Sequence, residues 1–344
     1  MENFQLGPFT VPRLFVGLWQ LSSNAWGTAP VSRIRAEMKR HVDEGYIAFA
    51  DHYGSAEILF GEFRENLAEP ARVVGATKWC VFKQTTPTRA VVEAAIKERL
   101  DRMRGVSVDL LQFHWQDYSD KGYLEALRHL KDLQAEGFIK AIGLCNFDSI
   151  RTDEICTQLG PGAIVSNQVQ FSLIDTRPLH GMAHVCEKHG VKLLTYGTLC
   201  GGFLADEWLG KPEPGAYQVS MTPSQRKYIH YSPTDVLKYL DMIIKAWGSW
   251  PLFQSLLSVL RAIADRHGNV GIANVATRWV LEHSFVGAVI IGTRLGISAH
   301  TSDNHRVFNF NLTAEDHQNI DAILDQSNSR KLITSVGDCG AEYR

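Results

Sequence analysis

Short apolar runs rich in β-branched residues alternate along this chain with longer segments of helical period. This alternation is typical of repeated βα units, in which each strand lies parallel to the one before it. The chain contains eight such runs, at residues 14–18, 46–50, 73–77, 108–113, 140–144, 163–169, 191–195 and 288–291. Helices are predicted between them at residues 32–44, 56–67, 89–103, 123–135 and 252–267.

The number and order of these elements predict the fold class. Eight strands with interleaved helices in about 300 residues favour an α/β fold with a single (β/α)8 TIM barrel over a two-domain doubly wound sheet. No Ser/Gly-rich linker divides the chain, so we expect residues 1–344 to form one barrel domain. Residues 1–12 read as an N-terminal β-hairpin, because a Gly-Pro pair lies between two apolar arms.

Two further segments stand outside the regular alternation. A long loop and helix excursion, residues 201–268, separates the seventh and eighth strands, and residues 330–344 form a C-terminal tail. A long excursion at the mouth of a barrel is where substrate specificity usually resides, but a structural flap that only packs on the barrel is an equal alternative.

Charge and composition narrow the range of partners. The chain has 35 basic and 37 acidic residues and a formal net charge of -2, so it lacks the excess positive charge that favours binding to nucleic acid or an anionic membrane. No run approaches the roughly 20 apolar residues needed to span a bilayer. We therefore expect a cytoplasmic protein with neither of these partners. The six cysteines lack a Cys-x-x-Cys spacing and are expected to be free thiols, with no metal site.

Three polar residues follow apolar runs that are far apart in the sequence. They are Tyr53, Lys78 and His114. In a parallel barrel the carboxyl ends of all strands converge on one mouth, so these side chains are expected to lie within hydrogen-bond reach of one another. Each has a plainer alternative when taken alone, as a turn residue, a solvated strand end or a buried histidine. Their joint occurrence at successive strand ends favours a proton-transfer site.

This trio resembles the catalytic residues of the aldo-keto reductase family. The resemblance implies NADPH-dependent reduction of an aldehyde or ketone to an alcohol, with a small carbonyl compound as substrate. Tyr53 would donate the proton, and Lys78 would stabilise its phenolate, since a tyrosine of ordinary pKa near 10 is a poor acid at neutral pH. His114 would orient the carbonyl oxygen.

One residue of the family pattern is missing. The family has an aspartate five residues before the tyrosine, and that position is Ala48 here. Asp51 is the only nearby substitute, although in a regular strand it would face the side opposite to residue 48. The hypothesis is an enzyme with reduced or altered activity. The gap also leaves two other functions open: non-redox proton transfer, such as isomerisation or cyclisation, and a cofactor-binding regulatory subunit.

The residues of the cofactor site are also predicted from the resemblance. The chain has no Gly-x-Gly-x-x-Gly motif after a strand, so a Rossmann-type cofactor site is not supported. The resemblance implies that Asn146 and Gln168 bind the nicotinamide carboxamide and that Tyr196 stacks on the ring. Gly201 and Gly202 would approach the pyrophosphate. The adenosine-phosphate end would be formed by Gly292, Thr293, Arg294, Ser298 and Asn304.

Each of these cofactor assignments has an alternative. Asn146 and Gln168 could instead satisfy loop backbone as buried polar residues. Arg294 favours the 2′-phosphate of NADPH over NADH, but it could instead cap its turn or pair with Asp303. An aromatic substrate pocket is expected from Trp19, Trp26, Trp115 and Tyr118, of which Trp26 and Tyr118 could equally be packing residues.

Overall fold

Eight parallel strands form a closed barrel in this computed structural model, which describes residues 1–50, 52–215, 221–222, 225 and 239–344. An antiparallel hairpin, β1 (Asn3–Leu6) and β2 (Phe9–Pro12), precedes them. The barrel strands are β3 (Leu14–Gly17), β4 (Ala48–Ala50), β5 (Val74–Val81), β6 (Val108–Trp115), β7 (Ile139–Cys145), β8 (Ser166–Gln170), β9 (Lys192–Tyr196) and β10 (Val286–Gly292). The predicted (β/α)8 barrel with its hairpin is therefore confirmed.

Small side chains fill the inside of the barrel. Ala48, Ala76, Ala141 and Ala288 belong to one buried cluster with larger residues such as Phe15. The hairpin closes the amino-terminal end of this interior, because its Leu6 and Val11 are fully buried in the same cluster. This end of the barrel interior is therefore apolar.

Helices cover the outside of the barrel. They are α1 (Val31–Asp43), α2 (Ala56–Glu65), α3 (Arg89–Arg102), α4 (Gly122–Ala135), α5 (Ser149–Leu159), α6 (Met182–His189), α7 (Tyr239–Asp241), α8 (Trp250–Arg266), α9 (Ile272–Leu281), α10 (Thr301–His305), α11 (Ala314–Leu324) and α12 (Leu332–Ser335). Side-chain caps fix several starts; the Asp148 carboxylate, for example, accepts the Arg151 amide of α5 at 2.7 Å.

Two strand boundaries differ from the sequence prediction in a way that matters for the site. Residues 73–77 were predicted as one strand, yet β5 continues to Val81, because it stays paired with β6 as far as Val81 and Trp115. Lys78 therefore lies inside β5 and not at its end. β4 is shorter than predicted and begins at Ala48. Among the described residues, no helix is both long and apolar enough to cross a membrane.

Candidate active site

A cleft of about 1340 Å³ opens at the carboxyl-terminal mouth of the barrel. Most of the residues predicted for the site border it. These are Tyr53, Lys78, Asn146, Gln168, Tyr196, Gly201, Gly202, Gly292, Thr293, Arg294, Ser298, Asn304, Trp19 and Trp26. The structure thus gathers residues from β5, β7, β8, β9 and β10 at one surface, as the barrel topology requires.

Tyr53 and Lys78 lie together in this cleft. Tyr53 follows β4 in a turn where Gly54 adopts a φ of +56°, and Lys78 projects from β5 with only 1% of its surface exposed. The Lys78 Nζ lies 5.0 Å from the centre of the Tyr53 ring. The buried ammonium therefore lies within cation–π distance of the tyrosine ring.

A buried charged network behind these two residues was not foreseen from the sequence. Glu57, at the start of α2, is 3% exposed and accepts hydrogen bonds from the Thr77 hydroxyl and from Arg102. Arg102 also donates to the Gly54 carbonyl at 2.5 Å. The network therefore links Gly54, which follows Tyr53, to Thr77, which precedes Lys78. An acidic residue on the apolar face of a predicted helix was the signal that could have indicated it.

His114 is buried behind the cleft. Burial, followed by the nearby charges of Lys78 and Arg344, lowers its pKa to about 4, so the imidazole is neutral at neutral pH. Its ring is edge-on to Phe82 at 5.6 Å and to Tyr343 at 5.8 Å. Within the described part of the chain, Tyr343 borders the cleft and His114 does not.

His52, beside Tyr53, is a second residue of the site that the sequence pattern did not predict. The two rings are 4.2 Å apart, and burial together with the Lys78 charge lowers the His52 pKa to about 2. Its Nε2 lies 3.5 Å from the Cys80 thiol. The His52 ring is therefore neutral at neutral pH and adds no positive charge beside Tyr53.

The polar groups in the cleft beside β7, β8 and β9 can bind a primary carboxamide. Tyr196 donates from its hydroxyl to Asn146 Oδ1 at 2.9 Å, which leaves the Asn146 Nδ2 group as a donor. Gln168 is 5% exposed, and its Oε1 has no hydrogen-bond partner among the described residues. A buried acceptor without a partner is costly, so this oxygen fits a ligand N–H. One donor and one acceptor in the same cleft fit the carboxamide of a nicotinamide ring.

Glycines and one exposed arginine border the other end of the cleft. Gly201 and Gly202 have φ values of +66° and +99°. Arg294 is exposed, and its carbonyl accepts the amides of Ile297 and Ser298 at 2.9 and 3.1 Å. Glycine backbone without side chains and a guanidinium fork suit a phosphate group.

Asp303, which the sequence offers as an alternative partner for Arg294, contacts other residues. Asp303 lies 3.5 Å from Arg306 and accepts from Asn274 at 3.5 Å. Thr293 is turned toward the barrel, because its amide and its hydroxyl both donate to the Gly17 carbonyl, at 3.1 and 2.9 Å. Its side chain therefore holds the loop after β10 in place.

The four aromatic residues predicted for the substrate pocket separate into two pairs. Trp19 and Trp26 are edge-on to each other at 5.0 Å and border the cleft. Trp115 is 2% exposed and packs on Phe113, while Tyr118 lies under the Arg344 guanidinium at 4.1 Å. The second pair packs behind the cleft in this structure.

Ala48 occupies the position at which the family pattern has an aspartate. Ala48 is fully buried and lies level with Val74, four residues before Lys78, so its methyl group adds apolar contact and no charge. Asp51, the proposed substitute, lies outside the described residues.

The six cysteines are free thiols, as expected. Among the described residues, no group of three or more histidine, cysteine or acidic side chains is placed to hold a metal ion.

The aldo/keto reductase family model matches residues 13–325 of the chain. The chain is 22% identical to the aldo-keto reductase YhdN of Bacillus subtilis over 330 residues, which is 92% of this chain and 90% of that protein. It is also 22% identical over 343 residues to the NADH-specific methylglyoxal reductase of Escherichia coli, covering 92% and 96% of the two chains. A match to the uncharacterized oxidoreductase YqkF of Bacillus subtilis, at 25% identity, spans 60% of this chain and 57% of that protein.

Solved structures share the fold. The glycerol dehydrogenase of Gluconobacter oxydans superposes with a TM-score of 0.71 at 22% identity, covering 98% of this chain and 96% of its own. An aldo-keto reductase of Bacillus halodurans in its holo form gives a TM-score of 0.68 at 21% identity, with coverages of 94% and 96%.

Proposed function

The chain belongs to the aldo/keto reductase family, and we propose that it catalyses the NADPH-dependent reduction of a small aldehyde or ketone to an alcohol. Family membership makes it an oxidoreductase that acts on carbonyl compounds with a nicotinamide cofactor. The observation that carries the proposal is the pair of Tyr53 and the buried Lys78, whose Nζ lies 5.0 Å from the tyrosine ring in the cleft. The same cleft holds the carboxamide-matching groups of Asn146 and Gln168.

Tyr53 has the role of proton donor. Negative charge develops on the carbonyl oxygen during reduction, and a phenol within hydrogen-bond reach can neutralise it by proton transfer. The Lys78 ammonium stabilises the resulting phenolate, and the buried position of Lys78 strengthens this effect because water does not screen it. NADPH, when bound, would supply the hydride. His114, neutral at neutral pH, lies behind the cleft and packs edge-on against Tyr343, so we assign it no direct contact with the carbonyl oxygen.

The cofactor assignment rests on residues at both ends of the cleft. Asn146 Nδ2 and Gln168 Oε1 would bind the carboxamide, and Tyr196 would stack on the ring. Gly201, Gly202, Gly292, Ser298 and Asn304 would surround the phosphates. The exposed guanidinium of Arg294 supports NADPH over NADH, although one relative carries the name NADH-specific methylglyoxal reductase.

The substrate class is proposed as short carbonyl compounds that carry a second oxygen. The similar proteins are named methylglyoxal reductase and glycerol dehydrogenase, and both names refer to three-carbon oxygenated compounds. Trp19 and Trp26 would form the apolar wall on the substrate side. A cytoplasmic location agrees with six free thiols, because reducing compartments keep cysteines unpaired.

A reduced or altered rate remains part of the proposal, since Ala48 contributes no carboxylate and Asp51 would have to replace it. We expect Ala48→Asp to raise the rate of carbonyl reduction, because it restores a carboxylate on the strand next to the one that carries Lys78, and such a charge favours the ammonium form. Initial rates at saturating NADPH measure this. An unchanged or lower rate in Ala48→Asp would contradict the reduced-rate hypothesis.

The proposed function is tested by mixing the protein with NADPH and a panel of short aldehydes and ketones while following cofactor absorbance. Oxidation of NADPH above background, with the alcohol as product, is the expected result. Product formed without loss of NADPH would indicate isomerase or cyclase chemistry instead. Tight cofactor binding without turnover would indicate a regulatory subunit.

A further inference from the structure

Residues 337–344, termed the closing segment below, fold back over the nicotinamide end of the cleft. The segment ends in a short 3-10 turn, Ala341–Tyr343. Its Asp338 carboxylate accepts the Ser149 amide at 2.8 Å, which attaches the segment to the start of α5. The loop that carries Asn146 lies directly before this helix, so the closing segment is attached next to the carboxamide-binding residue.

A buried arginine fixes the far end of the segment. Arg177 is 2% exposed and is held by Asp175, which accepts from its Nε and Nη2 at 2.9 and 2.7 Å. The same guanidinium donates to both carboxylate oxygens of Glu342, at 2.7 and 3.0 Å. Burial alone lowers the pKa of Arg177, but the two carboxylates outweigh it and raise the pKa above its ordinary value. This bidentate contact is charge-assisted and geometrically specific.

The segment also packs closely on the Asn146 backbone. The Arg344 guanidinium donates to the Asn146 carbonyl and, at 2.6 Å, to the Tyr118 hydroxyl. Gly340 has a φ of +74°, and a Cβ placed there would collide with the Asn146 backbone. Only glycine permits this approach without a shift of the chain. Asn146 itself has a φ of +59°, in the left-handed region that asparagine adopts more readily than most residues with a side chain.

Tyr343 connects the segment to the groups that face the nicotinamide. Its hydroxyl accepts a hydrogen bond from the Tyr196 hydroxyl at 3.1 Å, and the Tyr196 hydroxyl also lies 2.9 Å from Asn146 Oδ1. These three polar groups form one hydrogen-bonded series, so the position of Tyr343 limits the positions of the Tyr196 ring and the Asn146 amide.

We propose that the closing segment is a positioning element for the nicotinamide subsite: Arg177 holds Glu342, and the adjacent Tyr343 orients Tyr196 and Asn146 for cofactor binding. The inference rests on the proposed cofactor roles of Tyr196 and Asn146. Orientation before binding lowers the ordering cost of the bound state, so the seated segment increases cofactor affinity. Because such coupling is reciprocal, bound cofactor stabilises the seated segment by the same factor.

Two variants and a matched control test this coupling without a carbonyl substrate. Tyr343→Phe keeps the ring and removes the hydroxyl that is hydrogen-bonded to Tyr196. Glu342→Gln keeps the size of the side chain and removes the charge that faces Arg177. Glu315→Gln makes the same change at an exposed position on α11 and serves as the control. The dissociation constant of NADP⁺ is measured by calorimetry, and hydrogen exchange of residues 337–344 is measured with and without NADP⁺.

The expected result is a rise of about fivefold in the dissociation constant for Tyr343→Phe and about tenfold for Glu342→Gln, the values for a lost neutral and a weakened charged hydrogen bond. NADP⁺ should slow exchange in residues 337–344 of the wild type, and this protection should decrease in Glu342→Gln. The unfolding temperature of Tyr343→Phe should stay near that of the wild type, which separates positioning from a merely structural role.

Two results would overturn the proposal. One is NADP⁺ binding in Tyr343→Phe and Glu342→Gln as tight as in the wild type and the control. The other is exchange of residues 337–344 that does not respond to NADP⁺ in a wild type that binds it. A wild type that binds no NADP⁺ would overturn the proposed function together with this inference, so the two failures are distinguishable.

Discussion

At the scale of single residues, one buried charge, that of Lys78, lies against the ring of Tyr53 in the cleft. Lys78 is 1% exposed, and its charge acts on Tyr53, His52 and His114. Both histidines have lowered pKa values, so they remain neutral and do not compete as cations. Under the proposed function, Lys78 is the charge that favours release of the Tyr53 proton.

Arg294 supports a prediction about cofactor choice. Arg294→Ala should raise the dissociation constant of NADPH roughly ten- to hundredfold, the loss of a charged hydrogen bond, and leave that of NADH nearly unchanged. The reason is that only NADPH carries the 2′-phosphate that this exposed guanidinium would bind. Fluorescence titration with both cofactors measures it, and Arg128→Ala on α4 is the control. An equal rise in the dissociation constants of NADPH and NADH would mean that Arg294 does not bind the 2′-phosphate.

Residues of the site differ in how far the sequence predicts them. Tyr53, Lys78 and Asn146 follow or lie within recognisable strands, so their convergence is foreseeable from barrel topology. Arg177 and Tyr343 are not foreseeable in the same way. The Arg177 and Glu342 partners are 165 positions apart, and no periodic pattern links them. Only the three-dimensional path of residues 337–344 brings the tail back to the cleft.

At the scale of elements, the packing between β5 and the helices outside it positions Lys78. Gly75 lies three residues before Lys78, and its amide donates to the Asp109 carboxylate at 3.0 Å. A side chain at Gly75 would collide with the Phe60 ring of α2 and would meet the Met103 methyl group at 2.7 Å. The glycine is therefore what allows α2 and α3 to approach the strand.

This packing predicts a stability loss. Gly75→Ala should reduce the free energy of unfolding by about 1–3 kcal/mol, the cost of an added methyl group in a filled core. Denaturant titration measures the effect. Gly215→Ala is the control, since an added methyl group there meets no described residue within 4 Å, and its effect should stay within about 0.5 kcal/mol. Equal stability of Gly75→Ala and the control would show that the packing can relax.

All eight barrel strands are foreseeable from the sequence as elements, but their ends are not. β5 continues to Val81 because its partner β6 continues, and no local pattern after residue 77 shows this. β4 is only three residues long, because the chain enters it through a turn at Gly45 with a φ of +93°. Strand length in a barrel is decided by pairing with neighbours, which a local sequence pattern does not contain.

At the scale of the whole molecule, buried neutral histidines make the fold sensitive to acid. Burial is the largest cause that lowers the pKa of His114 and His283 to about 4 and that of His52 to about 2. Between pH 6.5 and 4 the unfolded chain binds protons at these positions and the folded chain does not. The free energy of unfolding therefore falls as the pH falls through this window.

The predicted loss is several kcal/mol between pH 6.5 and 4.5, since each pH unit across such a window costs up to about 1.4 kcal/mol for each histidine. Denaturant titrations across this range measure it. His283→Gln removes one of the three protons and should show a shallower pH dependence than the wild type. A stability that stays flat from pH 6.5 to 4.5 would mean that these histidines are accessible to protons in the folded state.

The central claim is that Tyr53 is the proton donor of a carbonyl reductase, and one comparison tests it most directly. NADPH oxidation with a short aldehyde is measured for the wild type and for Tyr53→Phe, together with the NADPH dissociation constant of each. The account predicts a loss of roughly 100- to 10,000-fold in the rate of reduction, the usual contribution of a positioned acid, with cofactor binding retained. A Tyr53→Phe enzyme that reduces the aldehyde at the wild-type rate would contradict it.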